Sequence, residues 1–398
     1  MPHTRHVDFP VFDADMHYYE DEDAFIRHVP ADMHKRCMQW AHVNGKKRLL
    51  VGGQINRFIP NPTWDPIARP GSLDTYFRGK NGSGVDVKTM FGELDPLAEH
   101  PEYQDRDARL AVMDAQGVEA ALFFPTLAVG MQQALAHDIP AMSAAFKGFN
   151  RWMQEDWGFD YQNRIFAAPL LSLSDVDAAV AEVEFAIAHG ARMVAMVPGP
   201  VPTEHGNLSP AWPSFDPVWA RIAEAGLAVG VHGGDGGMSA YVANWEPTGS
   251  MEAFRSTPFS MIAGHEKQIF DTMAAFVCHG LYDRFPNLRV ATIENGGGWV
   301  AHLVHELELT YGKMPQEFRR DPVETFREHV WVSPFYEDDI PGIRSLIGAD
   351  HVLFGSDWPH AEGLADPTAF IHDIPGFDPA DVQKVMHDNA WNLVTRAI

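Results

Sequence analysis

The chain has 398 residues, a formal net charge of −24, and 45% hydrophobic and 11% aromatic residues. This is a globular composition; the charge and the lack of a basic cluster exclude nucleic acid as an expected partner, and the lack of any run of about 18 or more uncharged apolar residues excludes a membrane span. Cys37 and Cys278 are too few for a disulfide framework and have no zinc-finger spacing, and residues 1–9 lack the apolar stretch of a secretory signal, so a cytoplasmic location is the expectation.

Residues 11–17 form the first predicted strand and end in the segment DADMH at 13–17. Asp13, Asp15 and His17 stand at alternate positions, so a strand points all three to one face. Residues 18–104 follow, rich in Gly, Pro, Asn and charge. The segment is too long for a plain connection and is expected to be an insertion over the active face, as a lid or an oligomer contact. From about residue 105 short apolar runs alternate with helical stretches, the pattern of a parallel α/β fold. Strands are predicted at 118–125, 164–171, 192–197, 227–232, 288–294, 329–333 and 351–354, eight with the first. Asp105 to Gly117 reads as a capped helix, and Ser174-Asp-Val-Asp177 opens another like a capping box closed by Gly190. The expected architecture is one domain spanning 1–398, a (β/α)8 TIM barrel with 18–104 inserted after its first strand. Further long loops at 198–213 and 233–264 crowd the same face.

Chemistry concentrates where strands end. The first strand ends on Asp15 and His17, the fifth on His232 between glycine-rich neighbours, and the eighth runs into Gly355-Ser-Asp-Trp-Pro-His360 with Asp357 just past the apolar run. Taken singly, His232 reads equally as a core histidine, Asp357 as a helix cap, and the Asp15/His17 pair as a hydrogen-bonded cluster. Taken together, they place metal-capable groups at the C-terminal ends of three strands, where a barrel of this kind carries its chemistry.

These motifs resemble the metal-binding motifs of the amidohydrolase superfamily, in the branch that contains aminocarboxymuconate-semialdehyde decarboxylase and γ-resorcylate decarboxylase. The likeness extends to the segments 106–118 and 282–289 and to Asp388-Asn-Ala390. It implies one divalent cation held by Asp15, His17, His232 and Asp357, zinc first with manganese or iron as alternatives. There are departures from the family pattern. Asp15 stands where a histidine is usual, residues 192–197 lack the lysine that bridges two metals, and Glu294 stands where a catalytic histidine is expected. Glu294 is therefore a candidate base, substrate contact or ligand to a second metal. His265 is a candidate replacement for the missing histidine. Asp357 is both ligand and proton acceptor in the family's manner, and His360 can orient substrate or water. Tyr18, Trp64, Phe335, Tyr336 and Trp358 are candidate pocket aromatics, with Tyr18, Trp358 and His360 taken as substrate contacts. The first functional reading is hydrolysis of a carbonyl-type C–N or C–O bond of a small organic substrate by metal-activated water. The alternative is non-oxidative decarboxylation of an acidic or phenolic substrate; an oxygen-dependent iron or manganese enzyme and a non-catalytic barrel subunit are more distant. A homodimer is the expected assembly.

Overall fold

Short runs that are buried almost throughout become parallel strands because a strand covered on both faces has no solvent side to alternate with. In the computed structural model, described at residues 4–56, 58, 65–80, 82–246, 257–264 and 266–395, these runs are β1 (Val11–Tyr18), β2 (Val118–Pro125), β3 (Ile165–Ala167), β4 (Met193–Met196), β5 (Ala228–His232), β6 (Arg289–Ile293) and β7 (Val330–Val332). All eight residues of β1 are buried. β1, β2 and β3 pair in parallel in one sheet, and β7, β6, β5 and β4 in a second.

The two sheets do not form one continuous ladder. Single parallel bridges join their edges, Leu170 to Ala195 on one side, and Val332 to Val352 and Met16 to Trp358 on the other. Residues 351–354, expected to be a strand, are not one. The Leu353 N–H donates to the Val332 carbonyl at 2.8 Å, but the Phe354 N–H turns away to the Val385 carbonyl at 3.2 Å. Opposite, the pairing of β1 slips between Asp13 and Met16, a bulge that interrupts regular pairing on that strand. The chain is thus a mixed α/β fold of two parallel sheets in edge contact rather than the regular closed barrel expected.

Helices follow the strands and cover their outer faces. Arg106–Gln116 begins at Asp105, whose side chain accepts the Ala108 N–H, and ends at Gly117 with φ 83°. The helix at Val176–Ala188 is capped by Asp175 rather than Ser174, since Asp175 accepts the Ala178 N–H and the Ser174 hydroxyl is paired with Ser172. No helix among the described residues is long and apolar enough to cross a membrane.

Residues 18–104 hold an antiparallel sheet that includes Met38–Val43 and Lys46–Val51, and the short helix Asp74–Phe77. This segment is tied to the loop that follows Asp357. The Leu73 N–H donates to the Ala361 carbonyl at 2.9 Å, and Arg78 pairs with Asp373 at 2.8 Å. Ala68, Leu73, Phe91 and Ala361 form a small apolar cluster of their own.

Candidate metal centre

Asp15 and His17 come from β1, His232 ends β5, and Glu294 follows β6. His17 donates from Nδ1 to the Pro125 carbonyl at 3.2 Å, and His232 from Nδ1 to the Gly233 carbonyl at 2.8 Å. Each bond fixes the ring and leaves the Nε2 lone pair free, the arrangement in which imidazole binds metals. Both Nε2 atoms and Asp15 Oδ1 are buried without a hydrogen-bond partner. They face one another: His17 Nε2 lies 3.3 Å from Asp15 Oδ1, 3.4 Å from Glu294 Oε2 and 3.2 Å from Asp357 Oδ1, and His232 Nε2 lies 3.5 Å from Asp15 and 3.1 Å from Glu294. For Asp15, His17, His232 and Glu294, which converge as one group, such separations suit ligand atoms sharing one cation at about 2.0–2.2 Å; Asp357, expected as the fourth ligand, groups instead with His17 and His360, and Glu294 takes its place in the converging set. Buried acceptors orphaned around a common point are otherwise costly. The residues present therefore fit a divalent cation.

Backbone geometry aims two of these carboxylates. Glu294 and Asp357 have φ values of 54° and 56°, a left-handed conformation that non-glycine residues seldom adopt and that collects at functional sites. Gly233 allows the first of these turns, because a Cβ there would stand 2.3 Å from the Glu294 carbonyl oxygen. The second is braced by Asp13, which lies deeper than Asp15 and does not line the cavity. Its carboxylate accepts the N–H groups of Asp15 and Ser356 and the Ser356 hydroxyl, at 3.0, 2.9 and 2.5 Å. Burial raises the Asp13 carboxyl to about 7.

The electrostatics describe a place built for positive charge. Burial pushes the Asp15 carboxyl up, but the His17 and His232 rings outweigh it and hold it at about 2. Burial pushes His17 down, yet Asp15 and Glu294 raise it to about 10. A proton and a metal ion compete for that same nitrogen. Since the His17 proton leaves only near pH 10, loading a cation at neutral pH must expel it. The apparent metal affinity is therefore expected to rise about tenfold per pH unit between pH 6 and 8. Competition against a chromophoric chelator at several pH values measures this, and a flat profile would remove His17 from the ligand set.

Asp357 and His360 form a hydrogen-bonded pair, Oδ1 to Nδ1, at 2.7 Å. Thr126 Oγ1 gives its hydrogen to the Tyr18 carbonyl at 2.8 Å, so at 2.9 Å it accepts from His360 Nε2. Nδ1 is then the acceptor, and the shared proton sits on Asp357. Burial and the carboxylates of Glu294 and Glu362 raise Asp357 well above the usual range, while burial and the rings of His17 and His232 hold His360 well below its own. Glu362, which sequence reasoning passed over two residues beyond His360, completes a group of carboxylates with Glu294 and Asp357. Burial and Glu294 raise it to about 8.

A cavity of about 590 Å³ opens above this floor. Asp15, His17, Glu294, Asp357 and His360 line it, with Tyr76 and Phe77 from the segment 18–104 and Phe335 and Tyr336 from the loop after β7. Tyr18 and Trp358, expected to touch substrate, do not line it. Each follows a site residue and points to the opposite side of the chain. Tyr18 packs on Trp152 and Trp157, with ring centroids 5.7 and 5.2 Å away, and Trp358 lies under the Arg109 guanidinium at 4.6 Å. Trp64 and His265 lie outside the described residues.

Glu294→Gln is expected to keep the fold, because the side chain is part-exposed, while weakening metal binding and turnover together. Circular dichroism with elemental analysis checks this, and full metal content with unchanged turnover would take Glu294 out of the site.

Imidazole and carboxylate groups able to hold a metal, gathered at strand ends beneath a largely apolar cavity in a parallel α/β fold, are the arrangement of an enzyme of the amidohydrolase type. The Amidohydrolase family profile matches residues 12–394, and the chain belongs to that family. It is 44% identical to an amidohydrolase of Mycobacterium avium subsp. paratuberculosis K-10, over 98% of this chain and 99% of that one, with a TM-score of 0.93. More distantly it shares its fold with a dihydroxybenzoic acid decarboxylase of Polaromonas sp. JS666 solved with bound manganese and 2-nitroresorcinol, at 15% identity over 98% of both chains and a TM-score of 0.59. It likewise shares its fold with 5-carboxyvanillate decarboxylase of Sphingomonas paucimobilis, at 19% identity over 85% of this chain and 98% of that one and a TM-score of 0.54.

Proposed function

We propose that this protein is a metal-dependent, non-oxidative decarboxylase of a small aromatic acid, built on a (β/α)8 barrel whose eighth strand is irregular. The observation that carries the reading is the Asp357–His360 pair, 2.7 Å apart and facing the cavity. Decarboxylation needs a proton donor at the carbon that loses CO2, and this pair shares one proton beside the ligand cluster. Decarboxylases with this fold support the choice over hydrolysis.

Asp15, His17 and His232 would hold the cation, with Glu294 and Asp357 completing the set. When bound, it supplies a Lewis acid for the substrate carboxylate and an adjacent oxygen. Manganese is proposed ahead of zinc, because the donor set is rich in carboxylate oxygen and a related decarboxylase binds manganese. The aromatic wall orients the ring and excludes water. As the C–C bond breaks, its electron pair stays on the ring carbon and CO2 departs. The Asp357 carboxyl, backed by His360, passes its proton to that carbon, and solvent restores it.

Anaerobic incubation of the manganese-loaded protein with a panel of hydroxybenzoic acids tests the reading through CO2 release and the matching phenol. Hydrolysis is the second reading, favoured by the 44% identical chain, which is described as an amidohydrolase. Cleavage of esters or amides without CO2 from any acid would establish it instead.

A further inference from the structure

The cavity is larger than a single-ring acid at its floor can fill. A dry cavity of about 150 Å³ already takes up benzene, and this one, at about 590 Å³, has about four times that room. A cation, a carboxylate and one ring therefore leave space above them for a second ring. The wall around that space is apolar. Tyr76 and Phe77 come to it from the segment 18–104, Phe335 and Tyr336 from the loop after β7, Met238 from the helix Met238–Ala243 and Met261 from the helix Pro258–Gly264. None of the six belongs to a cluster of metal-capable groups. Met261 lines the cavity yet is 37% exposed, so this apolar lining runs out to the mouth. Among the described residues no lysine or arginine lines the cavity, so its wall has no side-chain cation to hold a second acid. Of the acids in the lining, Glu362 groups with Glu294 and Asp357 at the floor, and the Glu266 carboxylate faces the N–H groups of Gly298 and Trp299 where the helix Trp299–Lys313 begins.

Resting on the reading of the floor as the place where a metal takes an aromatic carboxylate, we infer that the substrate is larger than a benzoic acid: its ring carries a second apolar group of about ring size, as in a biaryl or arylalkyl acid, which packs against the aromatic and methionine wall. Ligand sites bury most of their ligand's surface against apolar and aromatic side chains, and a one-ring acid held at the floor would leave the upper wall in contact with water. It would also be anchored at one end only, whereas reaction at the floor requires the ring to be held in one orientation. The aromatic side chains offer a second ring the edge and face contacts that such groups favour. Met238 and Met261 add unbranched side chains that adjust to its shape.

Three metal-chelating probes that share one head group test this by calorimetry on the manganese-loaded full chain: benzohydroxamate, 3-phenylbenzohydroxamate and 4-phenylbenzohydroxamate. At least one of the two-ring probes is expected to bind about tenfold or more tightly than benzohydroxamate, since even one methylene seated in an apolar pocket is worth about tenfold. Met238→Trp, and Met261→Trp at the exposed mouth, fill the upper cavity and should shrink that gain. Two-ring probes that both bind no better than benzohydroxamate, or a gain that survives both substitutions, would overturn the inference while leaving the metal centre in place. Failure of all three probes to bind the metal-loaded protein would overturn the reading of the floor and the inference with it.

Discussion

Asp357→Asn is expected to fold and to keep most of its metal, yet to lose turnover by about 10²-fold or more, the usual cost of removing a positioned acid or base. Asparagine preserves the volume and one ligating oxygen, and the left-handed backbone at 357 tolerates it better than most residues. What it cannot do is carry the exchangeable proton now shared with His360 Nδ1. Elemental analysis and single-turnover rates on one preparation separate the two roles. A metal-loaded variant with normal turnover would refute proton transfer by Asp357 and move the role to Glu294, His265 or His360. Loss of metal and activity together would show ligation only.

His232→Ala should have the larger effect on the metal itself. Its Nε2 is buried, unpartnered and aimed at the carboxylates of Asp15 and Glu294. Removing even an outer partner of a ligand typically costs 10–100-fold in affinity, so removing the ligand should cost about 10²-fold or more. A cation that binds the folded state raises its melting temperature by mass action. The parent protein should therefore melt higher with manganese than with a chelator, and the variant should melt alike in both. An undiminished metal-dependent shift in His232→Ala would exclude this site as the place of binding.

Much of this site is legible in the residues themselves. β2 follows the predicted 118–125 boundaries, because it is a mostly apolar run that stops at Pro125, and β1 extends one residue past its predicted end. Asp15, His17 and His232 could be picked out because they stand at or near the ends of predicted strands. Glu294 is visible only as a departure from the resemblance, and its sequence neighbours do not say which way it turns. The positive φ at 294 and the close approach of Gly233 bring its carboxylate within 3.4 Å of His17. Residues 351–354 looked like another strand, since HVLF is apolar and compact. Competing acceptors on Val332 and Val385 divide its backbone hydrogen bonds between the neighbouring strand and the C-terminal region.

The amino-acid sequence by itself determined the parallel α/β class, the strand ends that carry the candidate metal-binding groups and the exclusion of a basic surface, because apolar periodicity and net charge are local or additive properties. The tertiary structure decided which aromatics face the cavity and which lie behind it. A one-residue step along the chain reverses a side chain's direction, and so Tyr18 belongs to the core while His17 belongs to the site. It also decided that Thr126, His360 and Asp357 form one hydrogen-bonded chain and that Glu362 joins Glu294 beside it. Residues 126 and 360 are separated by most of the chain, and they meet only because strand packing brings the ends of their segments to the same face.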